Sequence, residues 1–278
     1  MTRVVFSWVL LAAATAVAGE AQDDFFESPK EPHAMVGVTW ESQYIWRGFD
    51  LFRDEGAVHA MADLNLFDSG FGVSAVGHQS ISDAFGELQR WDGTFYYQNV
   101  LASGEPLATN FRLGYVYYYY PKTNFGLTQD LMEGHVVLSW PNLLPIQGLQ
   151  PSYAFAYTWP GRKNDWAQSA NPTYDEDVKG MYHILMLDYA FTVPGLITLD
   201  DQVVKLHSEL VWNDGQSPLG TKVVSGFSDA VIGASTDFVF GADRNIVLTP
   251  AVYYQFSFED TVNEENEFWA SVSLKFAF

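Results

Sequence analysis

The sequence predicts an all-β protein, a transmembrane antiparallel up-and-down β-barrel of about twelve strands behind a cleaved signal peptide. Three observations carry the prediction. The chain combines 21 Phe, 15 Tyr and 9 Trp with only 17% charged residues, where a soluble domain carries about 25%. Apolar residues alternate with period two in segment after segment, the signature of strands with one greasy face. Beyond one N-terminal run, no stretch approaches the roughly 20 apolar residues that a spanning helix needs.

Composition removes several function classes. Carboxylates outnumber Lys and Arg by 34 to 14, for a net charge of −20, so an electrostatic grip on nucleic-acid phosphates is not expected. The absence of Cys leaves no disulfide, Cys-ligated zinc or thiol nucleophile. A 48% hydrophobic content is too apolar for a disordered acidic tail.

The first element is an export signal. Arg3 precedes the apolar run Val4 to Ala18, and Ala16-Val17-Ala18 supplies small residues at a cleavage site. Residues 1–18 therefore read as the signal peptide, with cleavage as late as 21 as the competitor. Residues 19–34 then form a periplasmic tail and 35–278 an outer-membrane barrel.

Strands are expected at 35–48, 56–67, 70–80, 87–100, 107–120, 131–140, 148–159, 178–191, 202–212, 227–240, 245–258 and 267–278. In the first, Val36, Val38, Trp40, Tyr44 and Trp46 share the lipid face opposite Glu41, Gln43 and Arg47. In the second, Val58, Ala60, Ala62 and Leu64 oppose His59, Asp63 and Asn65. Trp91, Phe95 and Tyr97 oppose Arg90, Asp92, Thr94, Tyr96 and Gln98. Phe111, Leu113, Tyr115, Tyr117 and Tyr119 oppose Asn110 and Arg112, and Val204, Leu206, Leu210 and Trp212 oppose Lys205, His207 and Glu209. In the penultimate segment Pro250 breaks an otherwise regular pattern. The last segment is the cleanest, with Phe268, Ala270, Val272, Leu274, Phe276 and Phe278 on one face. Short turns, such as Asp68-Ser69-Gly70, alternate with longer loops, such as Pro160 to Asp177, which places both termini on the periplasmic side.

Two resemblances enter at the ends of the chain. The C-terminal stretch ending in Leu274, Phe276 and Phe278 resembles the terminal signature of bacterial outer-membrane proteins, which implies the barrel-assembly machinery as a partner. Ser42-x-Tyr44-Ile45-Trp46-Arg47-Gly48, followed by a second alternating strand and Asp68-Ser69-Gly70-Phe71, resembles the first hairpin of the Gcw_chp, or TorF-type, outer-membrane family. That resemblance covers roughly residues 38 to 79 and implies a porin-like role.

Parity predicts which charges face the lumen. The cations are Arg47, Arg90, Arg112, Lys205 and Lys275. The anions include Glu41, Asp63, Asp92, Glu133, Asp188, Glu209, Asp229, Asp237, Glu259 and Glu267. A passive channel for small hydrophilic solutes could use opposed Arg and carboxylate rows to orient a polar molecule; the same charges could instead pair and close the lumen. A closed barrel with a structural or surface-binding role is the alternative. A lipid hydrolase is third, on His78-Gln79-Ser80, although parity points His78 away from lipid. No cofactor is expected and no metal site is assigned. The expected partners are outer-membrane lipid and lipopolysaccharide, the latter facing the acidic outer loops.

Overall fold

A computed structural model describes residues 33–121, 130–161, 177–195, 201–241 and 245–278. The expected signal peptide, most of the expected N-terminal tail, and most of the expected Pro160 to Asp177 loop lie outside the described residues. The barrel strands are β1 (His33–Glu41), β2 (Ala57–Asn65), β3 (Phe71–Ser80), β4 (Arg90–Leu101), β5 (Thr109–Tyr119) and β6 (Leu131–Ser139). They continue as β7 (Leu149–Pro160), β8 (Gly180–Val193), β9 (Gln202–Asn213), β10 (Gly226–Thr236, resumed at Phe238–Phe240), β11 (Ile246–Ser257) and β12 (Glu267–Ala277).

Each strand pairs antiparallel with its sequence neighbours, and β12 returns to β1 in register from Met35↔Ala277 to Glu41↔Ser271. Ala34 and Phe278 exchange two backbone hydrogen bonds of 2.9 Å at the end of that seam. Closure leaves no strand edge, which an antiparallel sheet in lipid requires because unpaired backbone groups there find no water. At the end that carries both described termini the connections are 66–70, 102–108, 140–148, 194–201 and 241–245. Those at the other end include the longer spans 42–56, 161–179 and 214–225.

Period two sorts the side chains as expected. On β12, Phe268, Val272, Leu274 and Phe276 are exposed, while Glu267, Trp269, Ser271, Ser273 and Lys275 are buried inside. Val36, Val38 and Trp40 on β1, Phe71 and Val73 on β3, Trp91 and Phe95 on β4, and Leu113 and Tyr115 on β5 extend the apolar exterior. A continuous apolar belt of this kind far exceeds the few hundred Å² that a water-soluble monomer exposes, so its natural solvent is lipid. Pro250 also finds its reason. The β10–β11 ladder is interrupted between Ser235↔Ala251 and Phe238↔Leu248, opposite a residue with no N–H to donate.

The first predicted strand is the exception. It ends at Glu41, and residues 42–56 turn back into the barrel mouth. Ile45 pairs with Asp50 and Trp46 with Phe49, around Arg47 and Gly48, whose φ angles of 51° and 86° match the two positive-φ positions of a type I′ hairpin turn. Tyr44 and Trp46, expected on the lipid face, are instead fully enclosed in the lumen. With Phe49, Leu51 and Phe52 they join an internal apolar cluster completed by Val116, Tyr118 and Leu131 from the wall. The hairpin carries enough apolar surface to be driven inward, at about 25 cal/mol per Å² buried.

Candidate functional site

The lumen is the candidate site, and the inserted hairpin occupies its upper half. Arg47 projects from the hairpin tip and meets Glu133 of β6 at 2.6 Å, both side chains being 1% exposed. Tyr118 Oη donates to the same carboxylate at 2.9 Å, and His135 Nδ1 lies 3.2 Å from its other oxygen. Arg90 of β4 donates to Asp92 from Nη2 at 2.9 Å, with its Nε 2.7 Å from the other carboxylate oxygen, and Nη2 also donates to Tyr44 Oη at 3.0 Å.

Aromatic faces complete the cation shells. The Arg47 guanidinium lies 4.6 Å from the Trp46 ring and 4.7 Å from that of Tyr182. Arg90 lies 4.8 Å from Trp46 and 4.7 Å from Tyr118. Trp46 thus contacts two buried guanidiniums, a placement favoured by the negative face of the ring. At the back of the hairpin, Gln255 Nε2 donates to the Gly48 carbonyl at 3.0 Å. A Cβ at Gly48 would stand 2.5 Å from Asp229 Oδ1, so this turn position needs glycine for space as well as for its φ.

Nearer the termini the wall changes character. Thr39, Ser74, Thr94, Thr249 and Ser273 face inward and each keeps 5–8% exposure. Arg112 packs over Tyr96 at 3.8 Å and donates to Gln98 at 3.0 and 3.2 Å. Tyr96 Oη lies within donating distance of Asp63 at 2.9 Å and of Asn65 at 2.6 Å. Gly72 and Gly114 face Tyr96 from the two neighbouring strands, and a Cβ at Gly72 would collide with its ring. On the opposite wall Lys205 meets Asp237 at 2.6 Å, and His207 lies 2.7 Å from Asp188 and 3.5 Å from Glu209.

Among the sequence-predicted lumen residues, Arg47, Arg90, Arg112, Lys205, Glu41, Asp92, Glu133 and Glu209 are buried inside the barrel, and Asp63 is partly buried there. Arg47 reaches the lumen by a different route, as the tip of an inserted turn and not from a wall strand. The residues that sequence reasoning missed are Tyr44 and Trp46, the aromatic partners of the two arginines. His78 points inward as expected, but its nitrogens engage His59 and Asp92, while Ser80 Oγ accepts from the Ser82 backbone. The two are not arranged as a nucleophile and its base. Phe276 and Phe278 form an exposed ring pair at 5.6 Å beside Leu274 at the seam.

Among the described residues, Asp50, Asp54 and Glu267 bring carboxylate oxygens within 4.8 Å of one another. Gln43 Nε2 donates to Asp54 at 2.8 Å and Glu267 at 3.0 Å, so an amide already bridges the set. Asp50 also accepts from the backbone N–H groups of Phe52 and Asp54. Burial raises its pKa, opposed by the Asp54 N–H and reinforced by the charge of Glu267, to about 6.

Comparison with solved structures concerns the fold alone. The chain is similar to the NanC porin, with a TM-score of 0.50 at 10% identity over 87% of this chain and 98% of that one. The fold is that of a twelve-stranded membrane barrel. A porin refined at 1.8 Å gives a TM-score of 0.33 at 12% identity over 81% of this chain and 62% of that one. OccK11 (OpdR) from Pseudomonas aeruginosa gives 0.30 at 9% identity over 91% and 97%. No family model and no curated protein matches the chain, so the Gcw_chp-like motif rests on its own residues. Those residues are the hairpin: Tyr44-Ile45-Trp46-Arg47-Gly48 is the inserted turn and its incoming arm.

Proposed function

We propose that the protein is an outer-membrane, porin-like channel that passes small hydrophilic solutes passively and is closed, in the conformation described, by the 42–56 hairpin. The observation that carries this reading is the change in the lumen wall. Below the hairpin the wall is lined by the short hydroxyl side chains of Thr39, Ser74, Thr94, Thr249 and Ser273, whereas a permanently solid barrel is filled by interlocking side chains. The mixed signs of Arg112, Lys205, Asp63 and Asp237 favour polar solutes without selecting one charge. Export, contact of the acidic outer loops with lipopolysaccharide, assembly through Leu274, Phe276 and Phe278, and membership of the Gcw_chp-like group belong to the same reading.

The second reading is a closed barrel with a structural role. It is favoured by the Arg47–Glu133 and Arg90–Asp92 pairs, which leave the upper lumen filled. The two separate in a planar bilayer. Replacing residues 43–55 by a two-residue Asn-Gly turn should convert rare conductance steps into frequent ones. A folded variant of this kind that never gives steps across many insertions sinks the channel.

A further inference from the structure

We propose that Glu41, His59, His78 and Asp92 form a proton-sharing latch that holds the 42–56 hairpin inside the barrel and releases it on acidification. The four residues lie on consecutive strands β1 to β4, and all are buried. Glu41 Oε2 lies 3.2 Å from His59 Nε2. His59 Nδ1 lies 2.9 Å from His78 Nδ1, and His78 Nε2 lies 3.0 Å from Asp92 Oδ2.

Counting protons shows where the chain breaks. Its two hydrogen bonds need two protons, which two neutral imidazoles supply when His59 Nδ1 donates to His78 Nδ1 and His78 Nε2 donates to Asp92. His59 Nε2 faces the Glu41 carboxylate at 3.2 Å without a hydrogen bond, so a first added proton is held there as an ion pair. A second imidazolium breaks it. Protonating both rings would set two N–H groups against each other across the 2.9 Å contact, and the like charges drive the rings apart.

The hairpin rests on those rings. Tyr44 stacks on His78 at 5.2 Å with planes 17° apart and packs against His59 at 4.8 Å. Separation of the imidazoles therefore displaces the aromatic foot of the hairpin. The charged and titratable groups that face the chain are Glu41 from β1, Arg90 and Asp92 from β4, Tyr118 and Tyr120 beside Arg90 from β5 and its end, Tyr253 of β11 near Glu41, and Tyr44 itself. Arg90 opposes a second protonation of the ring pair and Asp92 favours it.

The latch is tested without asking whether the barrel conducts. The chain has no native Cys, so Leu51→Cys reports on the buried hairpin and Arg53→Cys, exposed on the same loop, normalises for thiol reactivity. The full-length protein in liposomes is labelled with a maleimide between about pH 4 and pH 8. The Leu51→Cys to Arg53→Cys rate ratio should rise on acidification, by about tenfold per pH unit if opening takes up one proton. His59→Gln should flatten the profile. Glu41→Gln removes the carboxylate that favours the imidazolium and should move release to lower pH, an effect that a merely structural role would not give. A ratio that is flat both in the parent and in an Asp50→Asn background, or an unchanged profile in His59→Gln, overturns the latch. A pH-dependent ratio in a barrel that never conducts keeps the latch and sinks the channel.

Discussion

The Arg47–Glu133 pair fixes the hairpin tip to the barrel wall, and Glu133→Gln isolates its charge. Glutamine keeps the length of the side chain and still accepts from Tyr118 Oη, which lies 2.9 Å away. What disappears is the anion 2.6 Å from a guanidinium enclosed by the barrel. Deleting one partner of a buried pair costs about 3–5 kcal/mol, because the other charge is left without compensation. The rings of Trp46 and Tyr182 remain 4.6 and 4.7 Å from Arg47, and each such contact retains about 0.5–2 kcal/mol. The loss should therefore fall near the lower end, at about 3 kcal/mol, which corresponds to roughly a 150-fold rise in the hairpin's opening constant. Maleimide labelling of Leu51→Cys, normalised to Arg53→Cys, measures that constant directly. The double variant Arg47→Met/Glu133→Leu should recover much of the loss, and with the single variants Arg47→Met and Glu133→Leu it closes a cycle whose coupling should be about 2 kcal/mol or more. A Glu133→Gln ratio within about threefold of the parent would refute the assignment of the pair as the tip's anchor.

The remaining expectations follow from the hairpin's other anchor and from the seam. Because the folded-state pKa of Asp50 is raised to about 6, above its ordinary value of about 3.9, the folded state binds more protons between those values. Its contribution to hairpin anchoring is complete below the ordinary value, declines as pH rises through about 6, and is flat beyond. That sign is opposite to the histidine latch, and Asp50→Asn should remove this slope while leaving acid release in place, as read in the same labelling assay. Deleting Phe278 removes two backbone bonds to Ala34 and the outer partner of Phe276. It should cost about 1–3 kcal/mol in urea unfolding in detergent, and slow the appearance of the heat-modifiable folded band in cells.

Most of the barrel was legible because lipid and lumen impose period two on every spanning strand, whatever the local propensities. β9 illustrates it: Lys205, His207 and Glu209 face in, while Val204, Leu206 and Leu210 face out. The hairpin escaped because it alternates too. Tyr44 and Trp46 continue the parity of Val36, Val38 and Trp40, so the pattern gives no sign that the chain has left the wall. The available signal was Arg47-Gly48 between two aromatics, a two-residue turn whose glycine permits positive φ, but Arg is a weak first residue for such a turn. Partners of the lumen charges were illegible for another reason, since pairing depends on register, which parity does not specify. One register could have been counted. A turn centred on Asp68-Ser69 places residues summing to 137 opposite each other, and His59↔His78 is such a pair.

That count bears on how the scarcity of charge should be understood. Three buried cations in this lumen are each held by one carboxylate, Arg47 by Glu133, Arg90 by Asp92 and Lys205 by Asp237, as a low-dielectric interior favours. Two of these three pairs touch the hairpin, directly or through Tyr44, and the third lies on the wall between β9 and β10. Withdrawing the hairpin therefore exposes Glu133 and the Arg90–Asp92 pair to water at the same moment that it empties the upper lumen. Hydration compensates charges left behind, so opening costs less than the contacts alone suggest. The pairs that close the barrel are thus of the kind whose cost of separation falls once water enters, and the apolar cluster of Phe49, Leu51 and Phe52 supplies the opposing term that returns the hairpin to the lumen.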